Sequence, residues 1–432
     1  MQRERLGSRL GFILLSAGCA IGIGNVWKFP YLCGRSGGGI FVLFYLFFLI
    51  VLGLPAMTIE FAMGRASGKS PVKMYQELEP EGSKWHLHGY ICMAGNYLLM
   101  MYYTTVAGWM LQYFAGTAMG RYENLDADQV AAAFTGGLAN PVVQVGCMAI
   151  VVVLGCWVNS RGLQNGLEKV TKFMMIALLV IMIVLAINSI FLPGAKEGLK
   201  FYLLPSAKRA AEIGIFQVAV NAMNQAFFTL SIGIGSMAIF GSYIGKEQAL
   251  MGESVNVIIL DTFVAICSGL IIFPACFAYG VQPDSGPGLL FITLPNIFNN
   301  MAMGRLWGSL FFVFMTFAAF STVLAVFENI MAMCMDQFGW SRGQSGLYNA
   351  IILFVLSIPC ALGFNLWSFI QPLGEGSSVL DFEDLIVSNY ILPIGAFLFV
   401  LFCTSRLGWG WDNFVEEANQ GNGMKVKSWM RP

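Results

Sequence analysis

Two glycine-rich stretches, far apart in the chain, have the residue types to bind an ion together with a small solute. Each contains Ile-Gly-Ile-Gly, at residues 21–24 in AGCAIGIGNVWKFP and at residues 232–235 in FFTLSIGIGS. A glycine inside a helix costs roughly 1 kcal/mol relative to alanine, so a pair of glycines favours local unwinding. The freed N–H groups attract carboxylates, and the freed carbonyl groups attract cations. Close helix packing through small residues is the alternative interpretation.

The elements that carry these stretches are predicted to span a membrane. Of the 432 residues, 57% are hydrophobic and only 11% are charged, whereas a soluble domain has roughly 25% charged residues. The sequence therefore predicts an integral protein of the inner (plasma) membrane, in contact with the lipid bilayer. The net charge of zero gives no sign of a nucleic-acid partner, and the ten cysteines and two histidines show no zinc-ligand or catalytic spacing. We therefore predict that the protein is not an enzyme.

Ten apolar runs have the roughly 20 residues that a spanning helix needs. Lys and Arg are more frequent in the loops on the side of the N-terminus, which predicts that both ends of the chain are cytoplasmic. The uncharged segment 285–303 contains Gly-Pro and Leu-Pro breaks, which favour a packed external hairpin over a further span. The ten predicted spans are residues 10–27, 37–59, 89–116, 141–158, 173–190, 213–241, 254–279, 306–335, 347–364 and 385–403.

The two Ile-Gly-Ile-Gly stretches fall in the first and the sixth predicted spans. The ten spans divide into two halves of five, residues 7–191 and residues 213–405, within one transmembrane domain. Residues 406–432 are predicted to be a cytoplasmic tail, without an eleventh helix. Because each half has an odd number of spans, the two halves have opposite orientations. Interrupted helices at matching positions of two inverted halves indicate a substrate site at the membrane midplane.

Three segments of the chain resemble the neurotransmitter:sodium symporters: RLGFILLSAGCAIGIGNVWKFPYLCGRSGGGIFVLFY, GLPAMTIEFAMGR and NQAFFTLSIGIGSMAIFGSY. The resemblance extends over nearly the whole chain. It implies an all-α polytopic membrane protein with the LeuT-type 5+5 inverted repeat and unwound first and sixth helices. It also implies sodium-driven uptake of amino acids or related amines by alternating access. The alternatives are a channel, or a transport-inactive sensor that binds sodium and an amino acid on the same fold.

Two sodium sites follow from this resemblance, both lined by the oxygen atoms that hard cations prefer. The resemblance places the first site at Ala20, Asn25, Thr229 and Asp261, where the carboxylate of the substrate usually completes it. It places the second site at the carbonyl groups of Gly18 and Ile21, together with Ala318, Ser321 and Thr322.

The acidic residue of the first site departs from the common pattern of the family. Many relatives have asparagine where this chain has Asp261, and chloride-dependent relatives have serine where it has Ala265. An acid inside the membrane is costly unless it is paired. We therefore predict that Asp261 supplies a negative charge beside sodium and that transport does not require chloride. A structural acid, hydrogen-bonded to a neighbour, is the alternative.

A substrate pocket between the two interrupted helices is also implied. The backbone N–H groups of Ile23 and Gly24, with the hydroxyl of Tyr103, would hold a carboxylate. Gly22 stands where monoamine carriers of the family have an aspartate, which favours an amino acid over an amine. Because the pocket has no charged side chain, we predict a neutral, hydrophobic amino acid and leave its identity open. The predicted lining is Cys19, Ala20, Ile23, Gly24, Leu99, Tyr103, Phe228, Thr229, Ser231, Ile234, Thr322 and Val326.

The resemblance implies one gate on each side of the pocket. The outer gate pairs Lys28 with Asp384, with Asp381 as the second choice of partner and Gln225 in support. Lysine lacks the bidentate fork of the arginine that is frequent in the family, which predicts a looser latch. The alternative for these charges is snorkelling of long basic side chains to the membrane surface.

The inner gate pairs Arg3 with Asp336, close to Tyr243. The alternative for this pair is the general excess of basic residues on the cytoplasmic side. By the same resemblance, Glu60 bonds the unwound backbone of the sixth span. We interpret Glu328 as a buried structural acid, with proton coupling as the alternative. The oligomeric state stays open.

Overall fold

The computed structural model describes residues 6–280 and 288–431. Within these ranges the chain is built of helices and has no β-strand, apart from an isolated bridge between Gln248 and Asn422. The prediction of an all-α membrane protein is confirmed.

Each of the ten predicted spans coincides with one helix or with one pair of helices. Two of the ten, α1 and α6, are pairs, and the other eight are continuous. The ten elements are α1 (Arg9–Ala20 and Gly24–Arg35), α2 (Gly39–Ser67), α3 (His86–Ala118), α4 (Pro141–Ser160), α5 (Leu163–Ile190), α6 (Ile215–Thr229 and Ser236–Gly241), α7 (Leu250–Ala278), α8 (Gly304–Phe338), α9 (Arg342–Leu362) and α10 (Val379–Thr404).

Length and hydropathy separate these elements into groups. In the described part of the chain, seven continuous helices are long and apolar enough to cross a membrane: α2, α4, α5 and α7 to α10. The two halves of α1, which are bent by 53° relative to each other, make an eighth candidate. The helix α3 has 33 residues, and each half of α6 is shorter than a membrane is thick.

Wide π-type turns allow several helices to continue past a proline. Proline has no N–H group, and its ring clashes with the carbonyl group four residues earlier. A π-type turn shifts that carbonyl group out of register, so the helix does not have to end. The turns Gly24–Lys28, Leu49–Gly53, Leu289–Thr293 and Val387–Ile391 each end two residues before a proline, namely Pro30, Pro55, Pro295 and Pro393.

The segment predicted as an external hairpin contains a short helix, Leu289–Asn299, which is too short to span a membrane. The side chain of Phe291 is fully buried. Its ring lies 4.8 Å from the ring of Tyr113 and 5.8 Å from the ring of Trp109, both on α3. Aromatic packing therefore fixes this segment on the bundle.

The segment after α10 packs back on the bundle through a short helix, Trp411–Ala418. There Glu417 forms a buried ion pair with Arg65 of α2, with Nε and Oε1 2.7 Å apart. The guanidinium of Arg65 also donates to the carbonyl group of Gln248, at 2.7 Å. The end of α2, the loop between α6 and α7, and the C-terminal segment are thus joined at one point.

Candidate functional site

The helix α1 is interrupted at its Ile-Gly-Ile-Gly stretch. Its first half ends at Ala20, and the helix resumes at Gly24. Between them, Ile21 is extended, with φ −75° and ψ 100°. The N–H group of Gly22 bonds the side chain of Asn25 at 3.1 Å instead of continuing the backbone ladder. The prediction of an unwound first span is confirmed.

The helix α6 is interrupted at the second Ile-Gly-Ile-Gly stretch, between Thr229 and Ser236. Gly233 has φ +99°, and a Cβ atom at this position would collide with the carbonyl oxygen of Leu392 on α10. Only glycine meets both conditions. The N–H group that the break frees on Gly233 donates to Oε1 of Glu60 at 2.6 Å, so this acid lies where the sequence places it.

The first predicted sodium site is a buried group of polar side chains around Asp261. Its carboxylate accepts hydrogen bonds from Nδ2 of Asn25 at 2.7 Å and from Oγ1 of Thr229 at 3.1 Å. A third donor, the hydroxyl of Tyr45 on α2, lies 3.2 Å from Oδ2. No basic side chain pairs with Asp261 in the described ranges. A carboxylate beside the hydroxyl oxygens of Thr229 and Tyr45 suits a hard monovalent cation. Ala20, the last member of the predicted set, ends the first half of α1 and lines the adjoining pocket.

The second predicted sodium site joins α1 to α8. The hydroxyl of Thr322 lies 3.3 Å from the carbonyl oxygen of Gly18. The hydroxyl of Ser321 lies 3.3 Å from the carbonyl oxygen of Ile21 and 3.0 Å from that of Ala318. The five predicted residues therefore converge, and every group that they offer is an oxygen.

A pocket lies between the two breaks, bounded by α1, α3, α6, α8 and α10. Nine of its lining residues come from α1, α3 and α6. One of them, Tyr103, accepts a hydrogen bond at its hydroxyl from the N–H group of Ile23, at 2.9 Å. Ile23 itself faces a neighbouring cavity, Thr229 lies on the Asp261 carboxylate, and Val326 is buried outside the lining. The lining is Cys19, Ala20, Gly22, Gly24, Leu99, Tyr103, Phe228, Ser231, Ile234, Thr322 and Leu392.

The pocket is narrow beside Gly22. A Cβ atom at this position would collide with the hydroxyl groups of Thr322 and Tyr103. A side chain larger than hydrogen would therefore displace the groups that border the pocket, and an aspartate would not fit. The lining contains no acidic or basic side chain, so it offers no counter-charge to a charged substrate side chain.

On the side predicted to face outward, Lys28 and Asp384 of the outer gate are in contact. The ammonium Nζ lies 2.8 Å from Oδ2 of Asp384, and it also donates to Ser388 at 2.8 Å. The hydroxyl of Tyr102 donates to the same carboxylate at 3.0 Å. The ammonium lies 4.1 Å from the ring centroid of Phe228, which also lines the pocket, so one ring separates the gate from the pocket. Lys28, Asp384 and Phe228 also line a cavity of about 200 Å³.

The two other residues assigned to the outer gate have different partners. Gln225 is fully buried, and its amide donates to the carbonyl group of Gly24 at 2.8 Å instead of supporting the charged pair. Asp381 accepts a hydrogen bond from the N–H group of Ser378 at 2.8 Å and so belongs to the capping box of α10. The structure therefore favours Asp384 over Asp381 as the partner of the lysine.

On the opposite side, Tyr243 donates to Oε1 of Glu328 at 2.7 Å. Glu328 is fully buried and pairs with Arg342, whose Nη1 lies 2.7 Å from Oε2. Asp336 accepts a hydrogen bond from the N–H group of Ser70 at 2.7 Å. Arg3, the predicted partner of Asp336, lies outside the described residues.

Some residues of the site gave no signal in the sequence. Tyr45 and Tyr102 lie in apolar helices, where tyrosine is common for packing reasons alone. Leu392 is one leucine among many, and only the contact of α10 with the break in α6 brings it to the pocket. Ser388 stands one turn after Asp384, and that spacing is the one available clue.

Comparisons with known proteins agree with this geometry. The model of the sodium:neurotransmitter symporter family matches residues 3–123 and 129–432. An uncharacterized sodium-dependent transporter of Bacillus subtilis is 35% identical over 400 residues, which are 93% of this chain and 87% of that protein. Another, from Methanocaldococcus jannaschii, is 31% identical over 450 residues, which cover 100% of this chain and 87% of that protein. The crystal structure of MhsT in complex with L-phenylalanine matches this chain with a TM-score of 0.90. The two sequences are 36% identical, and the match covers 99% of this chain and 95% of that one.

Proposed function

We propose that this chain, which belongs to the sodium:neurotransmitter symporter family, is a sodium-coupled symporter that imports a neutral, hydrophobic amino acid by alternating access. The observation that carries this proposal is the position of the pocket. It lies between two interrupted helices and adjoins a buried carboxylate, Asp261, that has no basic partner in the described ranges.

Coupling follows from the shared position of the ion and the solute. A sodium ion at Asp261, Asn25 and Thr229 offsets the cost of a buried carboxylate. It also presents positive charge to the pocket, where a substrate carboxylate would bind the hydroxyl of Tyr103 and the N–H groups of Ile23 and Gly24, taking the place of Tyr103 as the acceptor for Ile23. Ion and substrate therefore stabilise each other, which is the requirement for symport. A second ion at the α1–α8 site would hold the first half of α1 against α8.

Selectivity for a neutral hydrophobic substrate is supported by the lining. Leu99, Phe228, Ile234 and Leu392 provide apolar surface, and an apolar pocket with few polar groups suits an apolar side chain. The crowding at Gly22 disfavours an aspartate-based amine site. The structural neighbour MhsT was solved in complex with L-phenylalanine, a neutral, hydrophobic amino acid.

We further propose that transport does not require chloride. Asp261 is a fixed negative charge, held in place by hydrogen bonds from Asn25, Thr229 and Tyr45. A fixed carboxylate beside sodium makes a second, diffusible anion unnecessary. Both ends of the chain are proposed to lie in the cytoplasm, with the Lys28–Asp384 pair closing the outer side and the Arg3–Asp336 pair the inner side.

The test is uptake into proteoliposomes of each standard amino acid, with and without an inward sodium gradient. We expect sodium-dependent accumulation of leucine-, phenylalanine- or tryptophan-like amino acids and none of charged ones. Replacement of chloride by gluconate should leave the rate unchanged. Binding of sodium and substrate without accumulation would favour the sensor, and currents far above the turnover of a carrier would favour the channel.

A further inference from the structure

Two neighbouring residues of α3, Gly95 and Asn96, support the break in α6 from behind. Neither residue lines the pocket, but both contact Ile234, which does. They lie one turn before Leu99, another residue of the lining. Their contacts involve the backbone and the side chain of Ile234 separately.

Asn96 holds the backbone of Ile234. Its amide nitrogen donates to the carbonyl oxygen of Ile234 at 2.9 Å and to that of Cys92, in its own helix, at 2.8 Å. The second half of α6 begins at Ser236, and its first backbone hydrogen bond uses the carbonyl group of Gly235. The Ile234 carbonyl group therefore has no helical partner, and the fully buried Asn96 supplies one.

A second buried asparagine extends this support to α8. Nδ2 of Asn329 lies 2.7 Å from the hydroxyl of Ser236 and 3.4 Å from Oδ1 of Asn96. Both asparagines are fully buried. Helices α3, α6 and α8 are thus linked by amide groups directly after the break. Leaving a buried amide without these partners would cost free energy. The hydrogen bonds therefore hold α3, α6 and α8 in one relative arrangement.

Gly95 gives the side chain of Ile234 its place. A Cβ atom at Gly95 would lie 3.0 Å from Cγ2 of Ile234 and 2.9 Å from Cγ2 of Ile391 on α10. Both distances are shorter than ordinary carbon contacts of about 3.5–4.0 Å. An added methyl group would therefore push Ile234 away from α3, into the pocket that it lines.

We propose that Gly95 and Asn96 are positioning residues that determine substrate size. Gly95 lets the Ile234 side chain sit back against α3, and Asn96 fixes the backbone that carries it. Together they set the depth of the pocket for the substrate side chain. This inference rests on the proposed function, because it assumes that an amino-acid side chain occupies the pocket.

The test is uptake of an amino-acid series (alanine, valine, leucine, phenylalanine and tryptophan) by the full-length protein and the Gly95→Ala variant. For the variant we expect KM to rise about tenfold for the largest accepted substrates and to stay within about twofold for the smallest, because one misplaced methyl group discriminates by at least that factor. The sodium concentration for half-maximal uptake should not change. Equal effects on all substrates, or none, would overturn the inference.

A matched control is Gly146→Ala in α4, where an added Cβ atom meets nothing within 4 Å. The Asn96→Leu variant should show the same size-dependent loss, and Asn96→Gln, which keeps the amide, should recover part of it. The control for a lost buried amide is Asn159→Leu in α4, since the fully buried Asn159 donates to the carbonyl group of Leu324 on α8 and not to the break. If the unaltered protein takes up no amino acid, the proposed function fails. If it does and the size dependence is absent, only the present inference fails.

Discussion

The outer gate gives a prediction whose size can be worked out from the structure. Replacing Lys28 by methionine keeps the length of the side chain and removes its charge. The ammonium makes charge-assisted hydrogen bonds to Asp384 and Ser388 and lies on the ring of Phe228. The lysine and aspartate side chains are 22% and 31% exposed, so solvent screens the pair only in part.

These contacts set the magnitude. A half-buried charged pair contributes about 1–2 kcal/mol, between the values for exposed pairs and for buried charged hydrogen bonds. The cation–π contact adds about 0.5–1 kcal/mol. The Lys28→Met variant should therefore weaken closure of the outer gate by about 1.5–3 kcal/mol. Because 1.4 kcal/mol is a factor of ten, the closed state should lose about ten- to a hundredfold of its relative population.

The assay is the rate at which a thiol reagent labels a Leu380→Cys variant, because Leu380 lines the same cavity as Lys28 and Asp384 of the gate. Sodium and substrate together should protect this cysteine in the parent protein. With sodium and substrate present, adding Lys28→Met should raise the labelling rate about tenfold or more over that of the Leu380→Cys variant alone. Uptake should slow, while equilibrium substrate binding persists. Lys200→Met is the matched control, since Lys200 is exposed and pairs with Glu197, away from the gate.

The reasoning would be refuted if protection of the cysteine were the same with and without Lys28. A double-mutant cycle with Asp384→Asn gives a further check. If the two residues act through each other, the double variant should be no worse than the single ones, with an interaction energy of about 1–2 kcal/mol.

Three other predictions concern single residues of the bundle. Asp261→Asn should raise the sodium concentration for half-maximal uptake at least about tenfold, because the charge that holds the ion is lost; titration of uptake against sodium measures this, and an unchanged curve would remove Asp261 from the site. Gly22→Asp should abolish amino-acid binding without creating amine transport, because its side chain collides with Tyr103 and Thr322; saturable amine uptake would contradict this. Glu383→Gln should raise the melting temperature in detergent by a few degrees without changing uptake, because Oε2 of this buried acid has no hydrogen-bond partner among the described residues; a lower melting temperature would contradict this.

The parts of the fold that local chemistry determines were predictable. The ten spans follow from runs of apolar residues, and the two interruptions follow from glycine pairs inside them. The end of α1 was less predictable. The expected first span stops at residue 27, whereas the helix continues to Arg35 past Pro30. A π-type turn absorbs the proline, and composition does not reveal such a turn.

Contacts between distant helices were harder to predict. Gln225 was expected at the outer gate, but its buried position directs its amide to the carbonyl group of Gly24. Tyr45 and Leu392 reach the site only through the packing of α2 and α10, which no periodicity in their own segments reveals. The sodium ligands and the pocket residues that were expected came from the family resemblance, and spacing alone would not have separated them from ordinary packing residues.

The position of Phe228 makes the latch sensitive to what lies beneath it. The ring of Phe228 lines the pocket, and the ammonium of Lys28 lies 4.1 Å from its centroid. If a substrate fits the pocket, the Phe228 ring should keep this position and the Lys28–Asp384 pair should form. A ligand too large for the pocket should displace the ring and separate Lys28 from Asp384. Such a ligand would bind without being transported. Analogues of the substrate that are too large for the pocket should therefore act as inhibitors of uptake. Phe228 would then couple substrate size to closure of the outer gate.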